Sequence, residues 1–120
     1  MPKAQNTKKY DLEDRTYNFA RIVRDFIKKL NRTNSNVIYI SQLIRSSSSI
    51  GANFIEASEA ISKKDFFHRI KICRKEAKET RYWLMLVDID GNLTLQKESN
   101  KLIQEANELM KIFGAIVSKQ

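Results

Sequence analysis

The chain has 120 residues, the size of one domain, and its 42% hydrophobic content is enough to bury a modest core. One proline (Pro2) and three glycines (Gly51, Gly91, Gly114) are too few for the turns of a β-sandwich or barrel, which leaves long helices. The net charge of +8 favours an acidic partner, nucleic acid before an anionic membrane surface, and the single cysteine, Cys73, excludes an internal disulfide and a cysteine-based zinc site.

Met1 to Lys9 read as a flexible basic lead-in to one domain over residues 10–120. A first helix is expected from about Asp11 to Leu30. Phe19, Val23, Phe26 and Leu30 recur at helical spacing and form its core stripe. Arg21, Arg24, Lys28 and Arg32 fall on the opposite face. Asn31 to Asn36 is a polar loop.

The second helix is expected from about Val37 to Ala60, with Ile40, Leu43, Ser47, Ile50, Phe54 and Ala57 facing inward. Its middle, Ser46-Ser47-Ser48-Ser49-Ile50-Gly51, is made of poor helix formers. Small side chains kept mid-helix imply close approach by a neighbouring helix, a subunit or a ligand. Residues 37–61 hold one arginine against two glutamates, so this helix carries almost none of the basic charge. Ser62 reads as an N-cap with Asp65 three residues on, and the short link before it makes helices two and three antiparallel neighbours.

The third helix is expected from about Lys63 to Asp88. Phe66, Ile70, Cys73, Ala77, Leu84 and Val87 share one face; Lys64, His68, Lys71, Lys75 and Lys78 line the other. Tyr82 to Val87 is apolar all round, which suggests a subunit contact or cover by the terminal segment. That run is far short of the roughly 20 residues that span a bilayer, and the polar start lacks a signal-peptide core. A cytoplasmic protein without a membrane partner is expected. Asp90-Gly91-Asn92 is a turn signal, and Thr94 can cap a fourth helix to about Ser118, striped by Leu95, Leu102, Ala106, Leu109, Phe113 and Ile116. The expected fold is all-α, an antiparallel up-down-up-down four-helix bundle.

Catalytic chemistry is poorly supplied. A di-iron bundle needs two Glu-x-x-His motifs, whereas the chain has one histidine, His68, preceded by Asp65 and set in the lysine row. Cys73 sits on the apolar stripe with no histidine to activate it. No Gly-x-Ser-x-Gly and no glycine-rich phosphate loop occur. Glu56, Glu59, Glu76 and Glu79, near Arg45, Arg74 and Arg81, are expected to make interhelical ion pairs rather than acid–base pairs. No catalytic, cofactor-binding or metal-binding residue is assigned, and the chain is not expected to be an enzyme. Two basic rows remain as candidate phosphate contacts, Arg21, Arg24, Lys28 and Arg32 on helix one and Lys64, Lys71, Lys75 and Lys78 on helix three. Tyr82 ends the second row, where it can stack on a base, although core or interface packing is its expected use.

The segment Gln42-Leu43-x-Arg45-Ser46-x-x-Ser49-Ile50-x-Ala52-Asn53-x-x-Glu56-Ala57, with Ser62-Lys63-Lys64-Asp65-Phe66 and Lys75-Glu76-Ala77-x-Glu79-Thr80-x-Tyr82-Trp83-Leu84, resembles the four-helix-bundle proteins encoded in 23S rRNA intervening sequences. The match is close over helices two and three; helices one and four agree in length and pattern. The resemblance implies an antiparallel bundle, a homopentameric ring with a central channel, and no established enzymatic activity. A related group, the accessory variability determinant of diversity-generating retroelements, is a basic pentamer that binds RNA and a reverse transcriptase, so RNA ahead of DNA and a protein partner of that kind are implied. Arg45, Ser49, Asn53, Glu56, Glu76 and Glu79 match the family motif and are expected to be structural. The rival expectation is an adaptor that binds protein and no nucleic acid.

Overall fold

A computed structural model describes the backbone of residues 7–120 and side chains from Leu12 onward. Four helices follow in order: α1 (Thr7–Ile27), α2 (Asn34–Ser58), α3 (Lys63–Leu86) and α4 (Leu93–Val117). Each packs on its neighbours in sequence and α1 closes on α4, while α1 and α3 stand diagonally across the core. Cross-helix contacts run antiparallel throughout, as between Arg45 and Glu76, and between Arg15 and Glu105. The fold is an all-α four-helix bundle, as the hydrophobic spacing requires. Of the expected lead-in, Met1 to Asn6 lie outside the described residues. Thr7 to Lys9 are already helical, because no proline or glycine interrupts them.

Capping side chains set the other boundaries. Thr33 accepts a hydrogen bond from the Asn36 amide at 3.1 Å, so α2 starts inside the expected Asn31–Asn36 loop. Ser62 caps α3 through the Asp65 amide at 3.1 Å, as expected. Asn92, rather than Thr94, caps α4 by accepting from the Leu95 amide at 3.0 Å. Asp90 and Gly91 take positive φ before it, at 53° and 69°. This left-handed pair turns the chain sharply enough to bring Asn92 to the helix start.

The core runs the length of the bundle. Phe19, Val23, Phe26, Leu43, Ile50, Ile70, Leu84, Leu109 and Phe113 are almost or wholly shielded from solvent. Each contributes roughly 1.5–3 kcal/mol by burial. The serine-rich stretch serves packing on two sides. Towards α1, a Cβ on Gly51 would lie 3.1 Å from Thr16 Oγ1, so the helices meet where α2 lacks a side chain. Towards α3, Ser46 is fully buried and accepts from the Thr80 hydroxyl at 2.8 Å.

At the opposite end from the N-terminus, Asn36 is fully buried. Its Nδ2 donates to the carbonyls of Asn31 and Asp88, both at 2.9 Å, and its Oδ1 accepts from the Asp88 amide at 2.9 Å. One side chain thus ties the α1–α2 loop to the α3–α4 loop. Asn31 adds a side-chain bond to Asp90.

Candidate nucleic-acid interface

The motif residues build the α2–α3 seam. Arg45 reaches from α2 to Glu76 at 3.2 Å and Glu79 at 2.5 Å. The hydrogen bond to Glu79 leads the causes that raise the guanidinium pKa. Glu76 is only 6% exposed, and among the described residues Arg45 is the one cation paired with its carboxylate. Two turns along, Asn53 donates to Ser49 Oγ and to the Ser49 carbonyl at 2.9 Å and accepts from Arg69 at 3.0 Å. Glu56 is exposed and in no described ion pair. Nor do the other two arginines, Arg74 and Arg81, pair with a glutamate among the described residues. Arg81 donates to Asn107 at 2.6 Å, and Arg74 lies against Gly114, both on the α4 side.

Cys73 is buried, and its thiol donates to the Ile50 carbonyl at 3.4 Å. Burial pushes its pKa up to about 12, the reverse of what a nucleophile needs. His68 is exposed, and no group of acidic, histidine or cysteine side chains among the described residues could hold a metal ion.

All eight basic candidates, Arg21, Arg24, Lys28, Arg32, Lys64, Lys71, Lys75 and Lys78, are exposed. Their surroundings differ. On α1, Asp25 pairs with Arg24 at 3.3 Å and with Lys28 at 4.0 Å, and Arg21 lies 5.7 Å from the centre of the Tyr17 ring. Neighbouring Lys29 pairs with Glu98, and Arg15 with Glu105 and Glu108. Those carboxylates raise the Arg15 pKa, Glu105 most, while Gln104 and then Arg15 lower that of Glu108. On α3, none of Lys64, Lys71, Lys75 and Lys78 joins an ion pair among the described residues. Glu76 and Glu79 bond to Arg45 on the α2 side, and helix periodicity puts Asp65 on that same flank, so among the described residues of α3 no carboxylate falls in the row from Lys64 to Lys78. Because α1 and α3 stand diagonally, the two rows do not merge on one subunit.

The all-round apolar end of α3 resolves into parts. Leu84 and Val87 enter the core, and Trp83 is partly buried against Tyr39, with ring centres 6.0 Å apart. The terminal segment does not cover the rest. Tyr82 is 56% exposed and Met85 65%, which rules out core packing for Tyr82. Tyr82 instead stands edge-on to Trp83 at 5.1 Å, in line with the lysine row. The Trp83 indole nitrogen is buried with no hydrogen-bond partner among the described residues. Between α1 and α2 a groove of about 590 Å³ remains open, walled by Tyr17, Ile44 and Ile55 and floored by Ser47, Gly51 and Ala52. Arg21 and Arg24 line its rim. Sequence periodicity missed this groove, because residues on both of its walls count as solvent-facing on their own helices.

Residues 8–115 match the profile of the 23S rRNA-intervening sequence proteins. The chain belongs to this family. A solved structure of a protein of unknown function from the S23 ribosomal protein family of Bacteroides thetaiotaomicron is 31% identical. The alignment covers 92% of this chain and 98% of that one, with a TM-score of 0.80. No curated protein matches significantly. Among the described residues of this family member, no helix is long and apolar enough to cross a membrane.

Proposed function

We propose that this chain is a non-enzymatic, homo-oligomeric bundle of the cytoplasm that binds nucleic acid, RNA ahead of DNA, through the basic faces of α1 and α3, with α3 the stronger. The observation that carries this reading is the carboxylate-free face holding Lys64, Lys71, Lys75 and Lys78. A phosphate reaching those ammonium groups displaces only mobile counterions, whereas at Arg24 and Lys28 it competes with Asp25. The pentamer implied by family membership would repeat the face around a ring, and simultaneous contacts would raise the affinity of a single patch. The open apolar groove between α1 and α2 suits a contact between copies better than Tyr82 to Val87, half of which packs internally.

Purified protein at low ionic strength is expected to bind structured RNA, with affinity falling steeply as salt rises. Lys71→Glu combined with Lys75→Glu should weaken binding about 100-fold. Absence of salt-dependent binding by the wild type overturns the reading. Light scattering tests the assembly, and a 14.0 kDa particle at micromolar concentration would contradict it. The groove also favours a second reading, a protein-interaction adaptor, with a reverse transcriptase one partner of the kind the family resemblance implies. Co-purification with one protein, together with indifference to the double lysine variant, would select that reading.

A further inference from the structure

Lysine rows bind any phosphate backbone, but this row ends on an aromatic ring. Lys71, Lys75, Lys78 and Tyr82 follow one another at four-, three- and four-residue spacing and so stand in line along one face of α3, about 5–6 Å apart per step. Tyr82 is more than half exposed, and its hydroxyl makes no hydrogen bond among the described residues. The ring is not a free rotor. It stands at 68° to Trp83, which is itself lodged against Tyr39. A ring already held on one side loses little freedom when something covers the other. Met85 continues the apolar surface one turn further.

We propose that α3 is a platform for unpaired nucleotides, in which Tyr82 stacks on one unstacked base while Lys78, Lys75 and Lys71 hold the phosphates running away from it. The inference rests on the nucleic-acid reading above and narrows its ligand to single strands, loops and bulges. A duplex keeps its base faces inside its own stack, so a tyrosine on a convex helix surface gains nothing from it. The lysines attract duplex and single strand alike, and only the single strand gains the stacking term. Tyr82 contacts a base face rather than a base edge, so the platform accepts every base and both sugars.

The test measures binding of the full chain to a labelled oligouridine dodecamer and to a duplex of equal length at low salt. Tyr82→Ala should weaken dodecamer binding about 10-fold and leave duplex binding unchanged within about twofold. Tyr82→Phe should behave like the wild type. Tyr82→Leu, which keeps apolar bulk without a stacking face, should behave like Tyr82→Ala. Trp83, the sole tryptophan, should change its fluorescence on dodecamer binding in the wild type and not in Tyr82→Ala. Unchanged dodecamer affinity in Tyr82→Ala, with binding still lost in the double lysine variant, overturns the platform and leaves the nucleic-acid reading standing. Equal losses for both ligands, or a smaller particle by light scattering for Tyr82→Ala, also overturn it; the latter would make Tyr82 a contact between copies. Binding of neither probe by the wild type overturns both readings.

Discussion

α1 and α3 occupy equivalent places in the bundle, each packed on α2 and α4, yet the two helices are built differently. α3 is sewn to α2 by polar bonds: Arg45 to Glu76 and Glu79, Thr80 to Ser46, Arg69 to Asn53, and Cys73 to the Ile50 carbonyl. α1 meets α2 at a close approach of Thr16 to Gly51, and outside that contact the two helices leave an apolar groove open above it. Their outer faces reverse the pattern. The basic residues of α1 are largely answered by Asp25, Glu98, Glu105 and Glu108, while those of α3 are unanswered. The helix that spends its carboxylates on the interior seam is the one left with a free cationic exterior. Glu76 and Glu79 act inward on Arg45, and so do not neutralise Lys71, Lys75 or Lys78.

The contrast can be broken most severely at the one place where the two helices are joined through their loops. Asn36→Ala removes three hydrogen bonds and leaves the Asp88 amide and the Asn31 and Asp88 carbonyls without that partner in a part-buried site. It should cost about 3 kcal/mol, seen as a lower denaturation midpoint at unchanged slope. A loss under about 1 kcal/mol would mean that water replaces the amide and that the loops are not tied. The charged faces give the next effect. Arg24→Glu with Lys28→Glu changes formal charge as much as the double lysine variant does. Because Asp25 already engages both side chains, it should weaken RNA binding less than about threefold, against about 100-fold on α3. Equal losses on the two helices would show that only net charge matters, and would erase the distinction between the faces.

The sequence discloses these two helices unequally. The inward stripes of both follow from spacing alone, as does the Ser62 cap, because each depends on residues close in the chain. The small-residue signal at Ser46 to Gly51 announced close packing but not its two directions, since Thr16 and Thr80 are distant partners. The same limit explains Asn36, which looks like loop filler until the second loop arrives beside it. The eight candidate cations were all legible as exposed. What spacing could not reveal was their pairing, which depends on side-chain reach and on carboxylates of other turns and helices. The division of the apolar run Tyr82 to Val87 was hidden for a related reason, since a distant residue, Tyr39, covers Trp83 and leaves Tyr82 outside.

The smallest effect concerns the looser seam. Gly51→Ala should gain up to about 1 kcal/mol of helix propensity. Its new Cβ, however, would press on Thr16 Oγ1, which is buried and donates to the Leu12 and Glu13 carbonyls at 2.8 and 3.1 Å. A hydroxyl held in that way yields little, and overpacking of this kind costs roughly 1–3 kcal/mol. The net expectation is a loss of about 1 kcal/mol in a thermal or denaturant melt. In a Thr16→Ala background the obstruction is gone, and the same glycine substitution should be neutral or stabilising. The sign change between the two backgrounds isolates the contact from backbone propensity. Stabilisation by Gly51→Ala in the wild-type chain would mean that α1 shifts freely on α2, and that the groove beside it is set by a loose helix rather than by this approach.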